Sequence, residues 1–182
     1  GINNNVRLLK NIMGLWITQE CKRHWEKQGE TVSFGGLTDE AAAAAPFACI
    51  IDVDDQRFFE PYNMPKKIQE YCKETGQYVP QTRGEIIRCV NESLALKYRQ
   101  AIEGLEEIVG YTIPALHVVG GGCQNKLLNQ FTANAIMRPV YAGPVEATAL
   151  GNIATQLISL GAVKSLAEAR EVIRNSFEID EY

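Results

Sequence analysis

A short apolar segment that ends in three consecutive glycines, LHVVGGGCQN at residues 116–125, constrains the fold of this chain more than any other feature. Glycine has no Cβ, so the backbone there can adopt positive φ and a flat ligand can lie against it. The segment predicts a strand, a glycine turn and the start of a helix, whose first amides would point at the same place. A tight strand-to-helix turn without a ligand explains the glycines equally well. The spacing also differs from the dinucleotide-binding fingerprint, whose glycines are separated by other residues.

A second strand–turn–helix pattern follows at residues 138–152. Residues 138–142 are predicted to form a strand, Gly143 and Pro144 a turn, and the next residues a helix with small side chains in its first turns. Proline is favoured near a helix start, and a carboxylate such as Glu146 in the first turn complements the helix dipole. Two such units in succession are typical of α/β nucleotide-binding folds, although close helix–sheet packing without a ligand would need the same residues.

Hydrophobic periodicity predicts helices in most of the remaining chain. The predicted helices cover residues 5–27, 38–45, 65–75 and 82–109, with a last one from 165 onward, and residues 47–53 are predicted to be a strand or extended segment. Ser165 and Glu168 have the spacing of a capping box. We therefore expect a helix-rich α/β fold with a partial sheet, in a single domain over residues 1–182. A sheet of only two strands would leave an unpaired edge.

Charge and composition exclude several classes of function. The net charge is −4, and no block of lysine and arginine indicates a nucleic-acid surface. The longest apolar stretch, residues 41–51, is interrupted by Pro46 and is too short for a membrane span, which takes roughly 20 residues. No Cys/His spacing resembles a zinc site, and Asp52, Asp54 and Asp55 are interpreted as a solvated loop. We expect a protein without nucleic-acid or membrane partners and without a metal site of its own.

The five cysteines are an odd number in a chain without a recognisable secretion signal, which predicts free thiols and a reducing, cytoplasmic location. Cys72 and Cys89 lie on consecutive predicted helices and could approach each other. The chain also lacks an initiator Met, and a helical pattern is under way within a few residues of its start. We therefore expect it to be the C-terminal part of a longer polypeptide.

Two sequence blocks, GGGCQN at 120–125 and AGPVEATALGN at 142–152, resemble the nucleotide-binding half of the FGGY family of carbohydrate kinases. Three more blocks extend the resemblance to about residues 5–177: RLLKNIMGLW at 7–16, DQRFF at 55–59 and SLAL at 93–96. The first of these is similar to the members that phosphorylate L-rhamnulose at its 1-hydroxyl. The resemblance implies the C-terminal part of an actin-like (ribonuclease H-like) ATPase domain that uses ATP and Mg²⁺.

The same resemblance assigns roles to individual residues. Asn11 matches a sugar-binding asparagine, Gln19 an ATP-binding glutamine, and Gly121 a glycine that contacts the nucleotide. The remaining candidates for the ATP site are Gly120, Gly122, Gln124 and Asn125. On one continuous helix, Asn11 and Gln19 would lie roughly 12 Å apart along the axis and could border one cleft. Without the resemblance, both would be interpreted as ordinary solvated polar residues.

The family's catalytic base and phosphate-binding turns precede the matched region. The resemblance therefore implies no catalytic residue in this chain, and the chain without the N-terminal lobe of the enzyme is expected to be inactive. It also implies that Cys72 and Cys89 match a cysteine pair that can form a disulfide. Two other functions stay open. One is an FGGY kinase for xylulose, fuculose or glycerol, and the other is a non-catalytic module that binds a nucleotide or nothing.

Overall fold

The computed structural model describes residues 6–182, which form two compact units, one ending at Ile113 and one covering Pro114–Tyr182. The single domain expected over residues 1–182 stays a prediction. The described part of the first unit is built from helices alone, whereas the second contains a small sheet. Among residues 6–182, none of the helices combines the length and the hydropathy of a membrane span.

The described part of the first unit contains four α-helices: α1 (Trp16–Lys27), α2 (Phe34–Ala43), α3 (Met64–Glu74) and α4 (Arg83–Val109). A single turn of 3-10 helix covers Gln56–Phe58. Helix α4 packs against α2 and α1, and α1 packs against α3. The interior of the unit consists mainly of fully buried aliphatic and aromatic side chains from these elements, among them Ile17, Leu37, Phe58, Met64, Ile68, Val90 and Leu94.

Local capping signals fix both ends of α4, which the sequence predicts as a helix over residues 82–109. The backbone amide of Glu85 donates to the Thr82 hydroxyl over 3.2 Å, and the Glu85 carboxylate accepts from the Thr82 amide over 2.9 Å. This reciprocal pair is a capping box. At the other end, Gly110 adopts the left-handed conformation at φ 75°, which ends the helix.

Helices α2 and α4 approach each other very closely at Gly84. A Cβ built on Gly84 would lie 2.8 Å from the carbonyl carbon of Glu40, and closer still to its oxygen. The Arg83 guanidinium binds the Glu40 carboxylate through two hydrogen bonds of 2.6 and 3.2 Å. Arg88 donates to three backbone carbonyls at the end of α2, at 3.0 to 3.2 Å: those of Ala41, Ala42 and Ala44. Only a glycine at position 84 allows this contact.

The opening helix is shorter than the sequence predicts. Helix α1 begins at Trp16, and residues 6–13 have no regular secondary structure; Asn5 lies outside the described residues. Gly14 has a φ of 62°, which interrupts a right-handed helix. The Met13 amide donates to the carboxylate of Asp54 over 3.4 Å instead of to a carbonyl of a preceding helical turn. The prediction of one helix over residues 5–27 is therefore wrong in its first half.

The second predicted helix and the segment after it also differ from expectation. Helix α2 starts after Ser33, whose hydroxyl accepts from the Gly36 amide over 3.0 Å, whereas Thr38 lies inside the helix. Residues 47–53 form no strand. Their amides donate to side chains, for example that of Phe47 to the Glu92 carboxylate over 2.8 Å. Side-chain acceptors replace a sheet partner, so this segment stays irregular.

The second unit alternates short strands with helices: β1 (Leu116–Val118), α5 (Lys126–Ile136), β2 (Val140–Ala142), α6 (Ala147–Ser159), α7 (Leu166–Ser176) and β3 (Asp180–Glu181). In the described chain the sheet order is β1-β2-β3, with β1 parallel and β3 antiparallel to β2. The sequence does not predict β3. Val140 and Tyr182 exchange two backbone hydrogen bonds, of 3.0 and 3.1 Å, so the edge of β2 that a two-stranded sheet would leave unpaired is occupied.

Helices α6 and α7 pack on each other through a small cluster of apolar residues. Its buried members are Ala154, Val163 and Ala169. The Ser165 hydroxyl accepts from the Glu168 amide over 3.2 Å, as the predicted cap requires. The Glu168 carboxylate accepts from the amide of Lys164 over 2.7 Å, one residue before the capping residue.

Candidate functional site

The glycine turn that the sequence singles out directly follows β1. Gly120–Gln124 form a short 3-10 helix, and Gly120 has a φ of 77°, which favours glycine. Gly121 is different, because its φ lies outside the left-handed region and a Cβ built on it would meet no heavy atom within 4 Å. Gly121 is also exposed. Neither backbone strain nor packing within the described structure therefore explains the missing side chain at position 121.

The turns after β1 and β2 lie next to each other, because parallel strands place their carboxyl ends at the same edge of a sheet. The Gly143 amide donates to the Val118 carbonyl over 2.8 Å, and the Gly120 amide donates to the Pro144 carbonyl over 3.4 Å. Gly143 has a φ of 129°, and a Cβ on it would lie 3.0 Å from the Glu178 carbonyl oxygen. Gly143 is thus required by the fold, and it keeps the two turns together. Ligands of α/β folds bind at this edge.

Polar side chains support the glycine turn from within the second unit. Asn125 caps α5, because its side-chain oxygen accepts from the Leu128 amide over 3.0 Å. The buried amide group of Asn129 donates to the Cys123 carbonyl over 2.9 Å and so holds the end of the turn. Gln124 is exposed. Sequence reasoning missed Asn129, although an asparagine on the apolar face of an amphipathic helix is a signal for such a structural hydrogen bond.

The predicted sugar-binding residue, Asn11, lies exposed in the irregular segment before α1. The Asp54 carboxylate holds this segment on both sides of Asn11: it accepts from the Met13 amide, and the Lys10 ammonium lies 3.8 Å from it. Lys97 of α4 forms a salt bridge of 3.0 Å with the same carboxylate. Asp54, interpreted from the sequence as part of a solvated loop, is thus a positioning residue for Asn11.

The ammonium of Lys97, which is paired with Asp54, also forms a salt bridge of 3.2 Å with the Asp52 carboxylate. The Asp54 amide donates to the Asp52 carboxylate over 3.1 Å. This backbone hydrogen bond and the nearby Lys97 hold the pKa of Asp52 below its usual value. The acidic loop is therefore a charged network that fixes residues 10–13.

The structure brings only some of the predicted site residues together. Gly120, Gly121, Gly122, Gln124 and Asn125 are contiguous in the second unit. Asn11 and Gln19 belong to the first unit, where Gln19 is exposed on the first turn of α1. The axial separation predicted for Asn11 and Gln19 does not apply, because Asn11 lies outside the helix. Cys72 and Cys89 do lie close together, as free thiols, and Cys49 lies beside them.

Comparisons with known proteins point to one family. Residues 1–160 match the model of the FGGY family of carbohydrate kinases, C-terminal domain. The chain is 47% identical, over all of its 182 residues, to a rhamnulokinase of Bacteroides thetaiotaomicron, of which it covers 37%. It is 46% identical over 179 residues to a rhamnulokinase of Bacillus subtilis, covering 98% of this chain and 36% of that protein. The chain thus spans less than two fifths of the length of these relatives.

A solved structure supports the fold. The crystal structure of xylulose kinase from Rhodospirillum rubrum aligns with 86% of this chain and 30% of that chain, with a TM-score of 0.55 and 21% sequence identity. At this identity the likeness concerns the fold alone. The expected helix-rich α/β fold with a partial sheet, as in the C-terminal part of an actin-like ATPase, is confirmed. With its first 160 residues matched by the family model, the chain belongs to the FGGY family of carbohydrate kinases.

Proposed function

We propose that this chain is the nucleotide-binding C-terminal part of a sugar kinase that transfers the γ-phosphate of ATP to the 1-hydroxyl of L-rhamnulose, giving L-rhamnulose 1-phosphate and ADP. The observation that carries the proposal is the open space at Gly121 in the turn after β1, at the sheet edge where α/β folds bind ligands, where the fold gives no reason for the missing side chain. The names of the relatives, rhamnulokinases at 42–47% identity over nearly the whole chain, support the choice of sugar.

In this proposal the residues of the chain bind and orient rather than react. The bare backbone at Gly120–Gly122 lets the flat face of the nucleobase lie against it, and the exposed Gln124 borders the same turn. Gln19 offers a donor and an acceptor to the nucleoside, and Asn11 offers the same groups to a sugar hydroxyl. Phosphoryl transfer depends mainly on such positioning and on neutralising charge.

Mg²⁺ would enter with the phosphates of ATP and would supply charge neutralisation there. Mg²⁺ binds carboxylate and water oxygens. Among the described residues, one group of three side chains is close enough to hold a metal ion, and its members are all cysteines. We therefore assign no Mg²⁺ ligand to this chain. The charged groups of the Asp52 and Asp54 loop are already paired with Lys97.

A kinase of the same family with another sugar, such as xylulose, fuculose or glycerol, is the second candidate. The xylulose kinase structure does not favour it, because the likeness is limited to the fold. A non-catalytic module that binds a nucleotide or nothing is the third. The first two candidates are separated by measuring kcat/KM of the complete kinase, with its N-terminal lobe, for each of these sugars. L-rhamnulose is expected to be the preferred acceptor.

Calorimetric titration with ATP tests the nucleotide site directly, with Gly121→Val compared with Gly104→Val. Both positions have open space around an added Cβ and neither has a left-handed backbone, so the two substitutions are matched in their local backbone requirements. Only Gly121→Val should weaken ATP binding, by at least about tenfold, which corresponds to roughly 1.4 kcal/mol. Equal affinity in the two variants would place the nucleobase elsewhere. No ATP binding by the parent protein would contradict the proposal as a whole.

A further inference from the structure

Three buried thiols, those of Cys49, Cys72 and Cys89, meet in the interior of the first unit. Their Sγ atoms all lie within 4.8 Å of one another, and none is bonded to another cysteine. They come from three separate elements: the irregular segment 47–53, the last turn of α3 and the second turn of α4. Each side chain is at most 3% exposed. A single disulfide accounts for two sulfurs, and this arrangement contains a third.

Buried and partly buried hydrogen bonds fix the segment that carries Cys49 against α4. The amide of Phe47 donates to the Glu92 carboxylate over 2.8 Å, and the amide of Ile51 donates to the Ser93 hydroxyl over 3.0 Å. The same hydroxyl donates to the carbonyl of Cys89 over 2.6 Å. The backbone around Cys49 and the backbone at Cys89 are thus joined through one side chain.

Gln77 makes the corresponding connection to α3. Its side-chain amide accepts from the amide of Ile50 and donates to the carbonyl of Ile50, both over 2.8 Å. Its own backbone amide donates to the carbonyl of Cys72 over 2.8 Å. Two polar side chains therefore hold Cys49 in register with both other thiols. These backbone hydrogen bonds hold the three sulfur atoms close together without a covalent bond between any of them.

The spacing of the sulfurs suits a bound metal ion. Three sulfurs around an ion at about 2.3 Å lie about 4 Å from one another, within the observed limit of 4.8 Å. The cluster is therefore compact enough for one ion to contact all three sulfurs, and a bound ion can take the place of the thiol protons.

We propose that Cys49, Cys72 and Cys89 form a binding site for a divalent thiophilic ion, Zn²⁺ or its heavier congener Cd²⁺, held by three thiolates. Binding releases three protons to solvent and leaves a net charge of −1, whereas a monovalent ion would leave −2 in the same buried place. Oxygen-preferring ions such as Mg²⁺ and Ca²⁺ do not suit this set of donors. The ion would join the segment 47–53, α3 and α4 into one cross-linked core.

The proposal makes metal binding and disulfide formation mutually exclusive. Two-electron oxidation of Cys72 and Cys89 forms one S–S bond and removes two of the three ligands. Diamide is a suitable oxidant, because its N=N bond accepts the two electrons and the two protons that the thiols lose. We expect the protein reduced with a phosphine to bind the ion and the diamide-treated protein to bind it at least about tenfold more weakly, a loss of roughly 1.4 kcal/mol.

The test titrates the purified, phosphine-reduced protein with Cd²⁺ and follows the sulfur-to-cadmium charge-transfer absorption in competition with a chelator. One ion per chain is expected. Cys49→Ala, Cys72→Ala and Cys89→Ala should each weaken binding at least about tenfold. Cys21→Ala is the matched control, since Cys21 is equally buried but lies outside the cluster, and it should bind like the parent. Binding that survives Cys49→Ala unchanged would overturn the three-thiolate site.

X-ray absorption on the cadmium-loaded parent protein covers the case in which an alanine variant does not fold. Three sulfur neighbours around the ion support the proposal, and fewer than three contradict it. A parent protein that does not retain Cd²⁺ against the chelator, or a diamide-treated protein that binds it as tightly as the reduced one, also contradicts it. These readouts do not depend on nucleotide binding or on kinase activity.

Discussion

Substituting Gly84 by alanine is expected to destabilise the first unit, although glycine-to-alanine changes in helices usually stabilise them. In a helix interior, alanine is favoured over glycine by about 1 kcal/mol, which is the upper limit of the gain at Gly84, the second residue of α4. At Gly84 the added methyl group would lie 2.8 Å from the Glu40 carbonyl carbon, where ordinary van der Waals contact begins at 3.4 Å. The backbones of α2 and α4 would have to separate by at least about 0.6 Å, the difference between these two distances.

The structure resists this separation, because polar contacts clamp α2 to α4 on both sides of Gly84. The hydrogen bonds from Arg83 to Glu40 and those from Arg88 to the end of α2 would all have to lengthen. Overpacking a well-packed interface costs about 1 to 3 kcal/mol, and contact with a fixed backbone favours the upper end of that range. After subtracting the gain in helix propensity, we expect Gly84→Ala to lower the free energy of unfolding by about 2 kcal/mol.

Gly104→Ala is the matched control on the same helix. A Cβ at Gly104 meets no heavy atom within 4 Å, so this change should raise the free energy of unfolding by about 1 kcal/mol. Urea denaturation followed by tryptophan fluorescence measures both variants, because both tryptophans, Trp16 and Trp25, lie on α1 of the first unit. If Gly84→Ala were as stable as Gly104→Ala, the close contact of α2 and α4 would be wrong.

Two further predictions concern the end of α5 and the start of α4. Met137 is 83% exposed and adopts the left-handed conformation at φ 55°. Met137→Gly should therefore stabilise the protein by about 1 kcal/mol, measured by thermal unfolding. A lower unfolding midpoint would contradict the left-handed conformation of residue 137. Backbone amides of Thr82 and Gln81 donate to Glu85 and lower its pKa from 4.5. A lowered folded-state pKa gives stability that is complete above pH 4.5 and lost as the pH falls through the folded-state value. Unfolding curves below pH 4.5 should therefore be less pH-dependent in Glu85→Gln than in the parent, and equal slopes would contradict the capping box.

Features set by neighbouring residues could be predicted from the sequence. The bounds of the helix predicted over residues 82–109 depend on contacts within one helical turn of each end, and the predicted cap at Ser165 depends on Glu168, three residues on. The glycine turn after β1 belongs to the same group, because three consecutive glycines disfavour the continuation of a strand and so mark a turn. In each case the determining contact lies within a few residues along the chain.

Features set by distant residues could not be predicted. The start of α1 depends on Asp54, whose carboxylate accepts a hydrogen bond from the Met13 amide, 41 residues away in the sequence. The irregular course of 47–53 depends on Glu92 and Ser93 of α4. The strand β3 has two residues, too few for an alternating pattern. The third thiol of the cysteine cluster was missed for the same reason, because Cys49 meets Cys72 and Cys89 only through the packing of α3 and α4.

The predicted site shows why a missing side chain needs a structural reason before it becomes a functional signal. Gly84 and Gly143 have such reasons in the close approach of another backbone. Gly104 and Gly121 have none, so open space alone does not separate a binding glycine from an incidental one. Their locations do: Gly104 lies in the middle of α4, whereas Gly121 follows β1 at the sheet edge where α/β folds bind ligands. Glycine loses more conformational entropy on folding than other residues, and the structure explains this cost at neither position. Only Gly121 lies where a bound ligand would require a residue without a side chain.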